Sequence, residues 1–307
     1  MYISMLKKLL SWGLRMNLYK IIYNKRSAKK YGWTPNWFGA EKFDSYLLDR
    51  VKEFQRIHDL KSDGLVGPVT YRRVYTNREA YPASDKRILC NGAMIPIEWD
   101  KVKLSLLKEG TYKKQTRRRT PSMVVTHWDV CLSAESCKRV LEKRGISTHF
   151  VIDNDGTIVQ LADCNDITWH AGIRKVNNVS IGIDFSNAYY KKYQSNYIKA
   201  GFGPRPLLED SEVHGVKLKP HLGYYPAQIL AYKALLDFLN KTYGIPLDFP
   251  RDDDGNLLTT VHPESSKGVF DGVTCHYHLT RKKIDTAGLK LDKIIDEINI
   301  FPVGSKD

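Results

Sequence analysis

Phe150-Val151-Ile152-Asp153-Asn154-Asp155-Gly156-Thr157-Ile158-Val159-Gln160 decides the architecture of the larger part of this chain. Two short apolar runs flank Asn154-Asp155-Gly156, a turn signal rich in residues that tolerate positive φ, so the stretch predicts a β-hairpin. Upstream, residues 122–127 predict a buried strand and residues 134–143 a helix; downstream, residues 179–185 predict another apolar strand. Residues 227–243 then predict a long amphipathic helix ended by Gly244 and Pro246. Residues 272–275 lead into a His-rich loop, and residues 289–300 predict a final helix. Strands mixed with helices on this scale predict an α/β domain with a mixed central β-sheet flanked by helices.

The N-terminal part is patterned differently. Ile3, Leu6, Leu10, Leu14, Leu18 and Ile21 recur at helical spacing among Lys7, Lys8, Arg15 and Lys20, giving an apolar stripe with a cationic face. Such a helix suits an anionic membrane surface or docking onto protein, and the pattern leaves both open. Charges interrupt the run and no Ala-x-Ala site follows, so no clear cleavable signal peptide is expected. Leu47, Leu48, Val51, Phe54 and Ile57 form one helical face, and Lys61-Ser62-Asp63-Gly64 is a turn cluster before a helix opened by Pro68. The predicted division is a basic amphipathic segment at 1–30, a small all-α domain at 31–79, a linker at 80–91 and the α/β domain at 92–303.

With 307 residues, 42% hydrophobic and 27% charged, the chain has enough apolar material for one large core and a small second one, which excludes disorder along most of it. The net charge of +14 attracts polyanions in general, but neither an aromatic RNA-binding motif nor a zinc-finger spacing occurs, so nucleic acid is not an expected partner. Five cysteines, Cys90, Cys131, Cys137, Cys164 and Cys275, include no CxxC pair and predict no disulfide framework. Lys113, Lys114, Arg117, Arg118 and Arg119 read as a solvated basic loop. A monomer is expected.

Chemistry concentrates in the histidines. A catalytic zinc site takes three N, O or S ligands from strand ends and adjoining loops and keeps one position open. His127 ends a predicted strand, His149 begins another, His170 follows Trp169, and His276 and His278 follow a third strand with Lys283 and Asp285 close behind. Each of these alone is an ordinary core histidine, and no HExxH occurs.

Order and identity of residues add more. Val51, Phe54, Gln55, Leu60, Asp63, Gly64, Val66, Gly67, Pro68 and Thr70 resemble the helical peptidoglycan-binding domain attached to many cell-wall hydrolases. Residues 122–290 resemble the zinc-dependent N-acetylmuramoyl-L-alanine amidases, the family shared by phage endolysins and animal peptidoglycan recognition proteins. The matching segments are Val124-Val125-Thr126-His127, the hairpin from Ser147, Trp169-His170-Ala171-Gly172, Asn178-Val179-Ser180-Ile181-Gly182-Ile183, Ala227-Gln228, Tyr243-Gly244-Ile245-Pro246, and Cys275-His276 with Lys283-x-Asp285. The resemblance implies His127, His276 and Asp285 as ligands of Zn2+, Lys283 as the stabiliser of an oxyanion, and His149, Trp169 and His170 beside the substrate.

Two positions depart from the family pattern. Asp184 stands where relatives carry a glutamate proposed as general base, and Thr148 where they often carry a tyrosine. The activity implied is hydrolysis of the amide between N-acetylmuramic acid and L-alanine in bacterial peptidoglycan, in an endolysin or autolysin made in the cytoplasm and acting on the cell wall. A non-catalytic peptidoglycan sensor on the same fold is the alternative.

Overall fold

The computed structural model describes residues 2–80 and 86–300, which divide into two compact units. The smaller unit combines residues up to 79 with a second segment, residues 195–203. It holds helices α1 (Tyr2–Tyr31), α2 (Ser45–Ile57) and α3 (Pro68–Ala80). Asp44 caps α2 by accepting the Leu47 N–H at 3.1 Å, and Pro68 opens α3 where its missing N–H loses no bond. Trp33, Phe38, Leu47, Val51, Val66 and Val74 share the core. The predicted turn cluster is pinned by the buried Gln55 amide, which donates to Leu65 O at 3.0 Å and accepts from Gly64 N at 2.9 Å.

Asn24 reaches the same turn, donating to Gly64 O at 2.9 Å and accepting from Val66 N at 2.8 Å. The second half of α1 is thus a working part of this unit, although the sequence sets residues 1–30 apart. The side chains of Ile3, Leu6, Leu10 and Leu14 lie outside the described residues. Ile57, expected inside, is 62% exposed: it ends α2, and the following chain turns back over Gln55, whose carbonyl accepts from Leu60 N at 2.8 Å. Within residues 195–203 Tyr197 and Ala200 are buried, and Arg73 stacks over the Phe202 ring at 5.0 Å.

Of the predicted linker, residues 81–85 lie outside the described residues. Its remainder is already folded into the larger unit: β1 (Arg87–Cys90) pairs with β2 (Ala93–Pro96) around Asn91 and Gly92, both at positive φ as a two-residue hairpin turn requires. The chain continues through β3 (Val102–Leu104), β4 (Met123–Trp128), α4 (Ala134–Arg144), the predicted hairpin β5 (Phe150–Ile152) and β6 (Ile158–Gln160), α5 (Arg174–Val179) and β7 (Ser180–Phe185). After α6 (Gln194–Lys199), two small ribbons follow, β8 (Leu207–Leu208) with β11 (His221–Leu222) and β9 (Glu212–Val213) with β10 (Val216–Lys217). Helix α7 (Pro226–Tyr243), α8 (Pro263–Lys267), β12 (Gly272–Cys275) and α9 (Leu291–Ile300) complete it.

The main sheet runs β12-β4-β7-β5-β6-β3, all pairs parallel except β5 with β6. Alternation within β4 shows how both faces are covered. Val124 joins Ile181, Leu235 and Ile295 in the large core, whereas Met123 and Val125 pack with Val176 and Leu279 on the opposite face. Because β12, β4 and β7 are parallel neighbours, their C-terminal ends lie along one sheet edge, where α/β sheets place their ligands.

Candidate metal centre and cleft

That edge gathers the predicted residues. In the register of β4 against β7, His127 pairs with Asp184, and Cys275 of β12 pairs with Thr126, so His276 emerges beside His127. The His127 Nδ1 lies 2.9 Å from His276 Nδ1 and 3.2 Å from Asp285 Oδ2, and His276 Nδ1 lies 2.9 Å from the same carboxylate oxygen. All three side chains are buried.

The hydrogen-bond chain behind His127 fixes its tautomer. Ser180 Oγ donates to Val176 O at 2.7 Å and so accepts from His170 Nε2 at 3.1 Å. His170 Nδ1 is then left to accept from His127 Nε2 at 2.9 Å. His127 therefore carries its proton on Nε2 and turns the Nδ1 lone pair toward His276 and Asp285. Two imidazole nitrogens and a carboxylate oxygen this close need positive charge among them. A tetrahedral zinc would set its donor atoms about 3.3 Å apart, close to the spacing found, so this donor set fits the ion.

Electrostatics agree with that use. Burial, reinforced by His127, lowers the His276 pKa and favours the neutral imidazole that ligates a metal. Burial alone would raise the Asp285 carboxyl, but the two imidazoles outweigh it and hold the group well below the usual carboxylate range, ionised. Asp184 is pushed up to about 7, chiefly by burial, with the Asp285 charge acting the same way and Thr148, His276 and Lys283 opposing.

These residues face a cleft of about 600 Å3, which Trp169, Lys282 and Lys283 also line. Lys283 is exposed. Trp169 is 39% exposed, its backbone N–H tied to Ser147 Oγ at 2.9 Å. His170 borders the cleft, but both ring nitrogens are engaged, one with His127 and the other with Ser180.

His149 does not take the expected place beside a substrate. It is fully buried, with Nδ1 accepting from Gly182 N at 3.0 Å and Nε2 beside Asp166 O at 3.0 Å and Arg119 at 3.2 Å. Burial, with Arg119 adding to it, lowers its pKa to about 3, so this ring is a neutral connector inside the sheet. His278 and His262 also have other duties, bonding Cys275 N and Leu258 O in one case and capping α8 in the other.

Two supporting residues escape a reading of sequence alone. Arg119, placed in the solvated basic run, instead turns inward and donates to the carbonyls of Cys164, Ser180 and Asn178 at 2.8, 3.0 and 3.2 Å. Asp129 joins the ends of β4 and β7, accepting from Cys131 N at 2.7 Å, Asn187 N at 3.0 Å and Ser186 Oγ at 3.1 Å. An arginine beside four other basic residues carries no signal of burial; Asp129, directly after the strand end His127-Trp128, offers only the weak one of location.

The family model described as N-acetylmuramoyl-L-alanine amidase matches residues 117–285. Among solved structures, an N-acetylmuramoyl-L-alanine amidase, LysC from Clostridium intestinale, aligns with 16% identity over 65% of this chain and 97% of its own, at a TM-score of 0.39. The hydrolase AmiA of Staphylococcus aureus aligns with 13% identity over 65% and 85%, at 0.40. The Ph2119 endolysin from a Thermus scotoductus bacteriophage aligns with 16% identity over 64% and 98%, at 0.36. Comparison with curated protein sequences gives no match.

Proposed function

The chain belongs to the N-acetylmuramoyl-L-alanine amidase family, and from that membership we propose a zinc-dependent peptidoglycan hydrolase that holds its ion with His127, His276 and Asp285. The observation that carries this reading is the convergence of two Nδ1 atoms and one carboxylate oxygen within 2.9 to 3.2 Å. The bond cut joins the lactyl group of N-acetylmuramic acid to L-alanine, and the enzyme acts on the cell wall.

When bound, the ion supplies Lewis acidity that polarises the scissile carbonyl and eases deprotonation of water. Asp184, with a pKa near 7, accepts the proton of the attacking water and returns it to the departing amine. Lys283 places its ammonium at the cleft, where negative charge develops on the carbonyl oxygen. His170 keeps the His127 lone pair aimed at the ion.

The helical unit supports a second role in this reading, tethering the enzyme to the polymer and raising the local concentration of its substrate. Its groove of about 440 Å3, lined by Gln55, Asp63, Leu65, Pro68 and Lys199, offers a place for that contact. On α1, Leu18 and Tyr19 are each 58% exposed near Lys20, an arrangement suited to an anionic membrane surface; flotation with phosphatidylglycerol vesicles tests it.

Mass spectrometry of muropeptides after digestion tests the central claim. Expected are free N-terminal L-alanine, one zinc per chain, loss of activity with a chelator and recovery with added zinc. Wall binding with no newly freed alanine would support the non-catalytic sensor instead.

A further inference from the structure

Trp128 follows His127 on β4 and lines the same cleft. An aromatic run starts there and leads outward. The indole lies 4.9 Å from the Tyr189 ring, Tyr189 lies 5.0 Å from Tyr190 edge to face, and Tyr190 lies 6.3 Å from Tyr193. Tyr190 is 52% exposed and Tyr193 partly so. Among the described residues, neither belongs to a hydrophobic core cluster. The Lys192 ammonium sits 5.4 Å from one of these ring centres and 5.1 Å from the other, which holds the pair in place by cation–π attraction.

The run is also built with some effort. Tyr189 adopts φ +62, a left-handed conformation that a bulky residue keeps only where its surroundings impose it. Here Asn187 Oδ1 accepts its N–H at 2.9 Å, Leu222 N donates to its carbonyl at 2.8 Å, and its ring stacks on His221 at 4.9 Å. The strained backbone sets the Tyr189 ring against Trp128 while Tyr190 stays in solvent.

Resting on the amidase reading, we propose that Tyr190 and Tyr193, seated on the half-buried Tyr189 and the buried Trp128, form a platform for the glycan strand of the substrate. The scissile amide hangs from a lactyl group on a sugar ring. When that bond reaches His127, a pyranose lies close by, and the aromatic run that begins with Trp128 at the cleft leads outward to Tyr190. Pyranose rings present apolar C–H faces that stack on aromatic faces, and their hydroxyl and acetamido rims match phenolic oxygens. The carboxylates of the stem peptide gain nothing from aromatic faces, and the Lys192 ammonium beside this run is already drawn to the rings of Tyr190 and Tyr193. A strand leaving the cleft over this platform would gain affinity with chain length, through contacts remote from the reacting bond.

The test uses the full chain with Tyr190→Ala and Tyr193→Ala together, beside a control carrying Tyr190→Phe and Tyr193→Phe. Substrates are N-acetylmuramoyl-L-alanyl-D-isoglutamine, which has one sugar, and soluble glycan strands of many disaccharides bearing stem peptides. Losing two stacking contacts should raise KM on the long strands about tenfold with kcat unchanged. Both constants on the one-sugar substrate should stay at wild-type values, and the phenylalanine pair should behave as wild type. Unchanged KM on the strands, or equal losses on both substrates, would overturn the platform. Should wild-type protein cleave neither substrate, the amidase reading falls by itself, and binding decides the platform. Tryptophan fluorescence titrated with the N-acetylglucosamine hexasaccharide should then show weaker affinity in the alanine pair, and equal affinity would overturn the proposal.

Discussion

Gly182→Ala probes the connection between the sheet and the proposed metal centre. A Cβ at this position of β7 would stand 2.7 Å from His170 Cγ, 2.8 Å from His170 Cδ2 and 2.8 Å from Thr148 Oγ1. Carbon atoms settle no closer than roughly 3.5 Å, so His170 would have to retreat by about 0.8 Å. It cannot do so freely, because His127 holds one ring nitrogen at 2.9 Å and Ser180 the other at 3.1 Å. Retreat by that distance carries at least one of these bonds beyond hydrogen-bonding range. Overpacking costs about 1–3 kcal/mol and an unmade buried hydrogen bond about 1–3 kcal/mol, so a combined loss of about 2–6 kcal/mol is expected in urea unfolding. Disturbing the partner of a metal ligand lowers metal affinity by about 10–100-fold, measurable by competition with a chromophoric chelator. Removing the imidazole as well, with His170→Ala, should return part of the stability but not the affinity. If Gly182→Ala loses stability yet binds zinc as the wild type does, His170 does not orient His127 and the tautomer argument fails.

Asp184→Asn should lower kcat by about 10²–10⁴-fold while zinc content stays at one per chain, and unchanged turnover would assign the base elsewhere. Arg119→Met removes a half-buried guanidinium from the carbonyls of Cys164, Ser180 and Asn178 and should cost about 1–3 kcal/mol; a urea midpoint indistinguishable from wild type would contradict its inward role. Asp153 is raised to about 6 by burial, with Asp155 adding to it. Because its folded pKa lies above the unfolded one, its stabilising contribution is complete below about pH 4 and is lost as pH rises through about 6, at most about 3 kcal/mol. Asp153→Asn should therefore flatten the fall in stability between pH 4 and pH 7, and an unaltered pH profile would count against the burial argument.

Local signals proved the most legible part of the sequence. Asn91-Gly92 and Asn154-Asp155-Gly156 mark their hairpins because few residues accept the backbone those turns need, and the apolar strands stand out because both their faces are covered. His127, His276 and Asp285 meet in space, and their positions at strand ends are visible in the chain, although their meeting depends on the parallel order β12-β4-β7. His149 shows the limit. It sits at a strand start much as His127 sits at a strand end, and only the Gly182 N–H, Asp166 carbonyl and Arg119 guanidinium around it separate connector from cleft residue. Arg205 is another case, an ordinary loop arginine by sequence that is buried and donates to Gly223 O at 2.7 Å. Such roles depend on partners distant in sequence, so no periodicity or local composition announces them.

The small helical unit is assembled from two separate lengths of chain, residues up to 79 and residues 195–203. During synthesis α1, α2 and α3 emerge early, yet the piece carrying Tyr197 and Ala200 follows only after much of the sheet has been made. Its completion thus waits on translation of its neighbour, and a fragment cut at residue 79 would leave the ribosome without the second of its two segments. A stretch that looks transferable as a cassette in a gene is, in folding, stitched to its host.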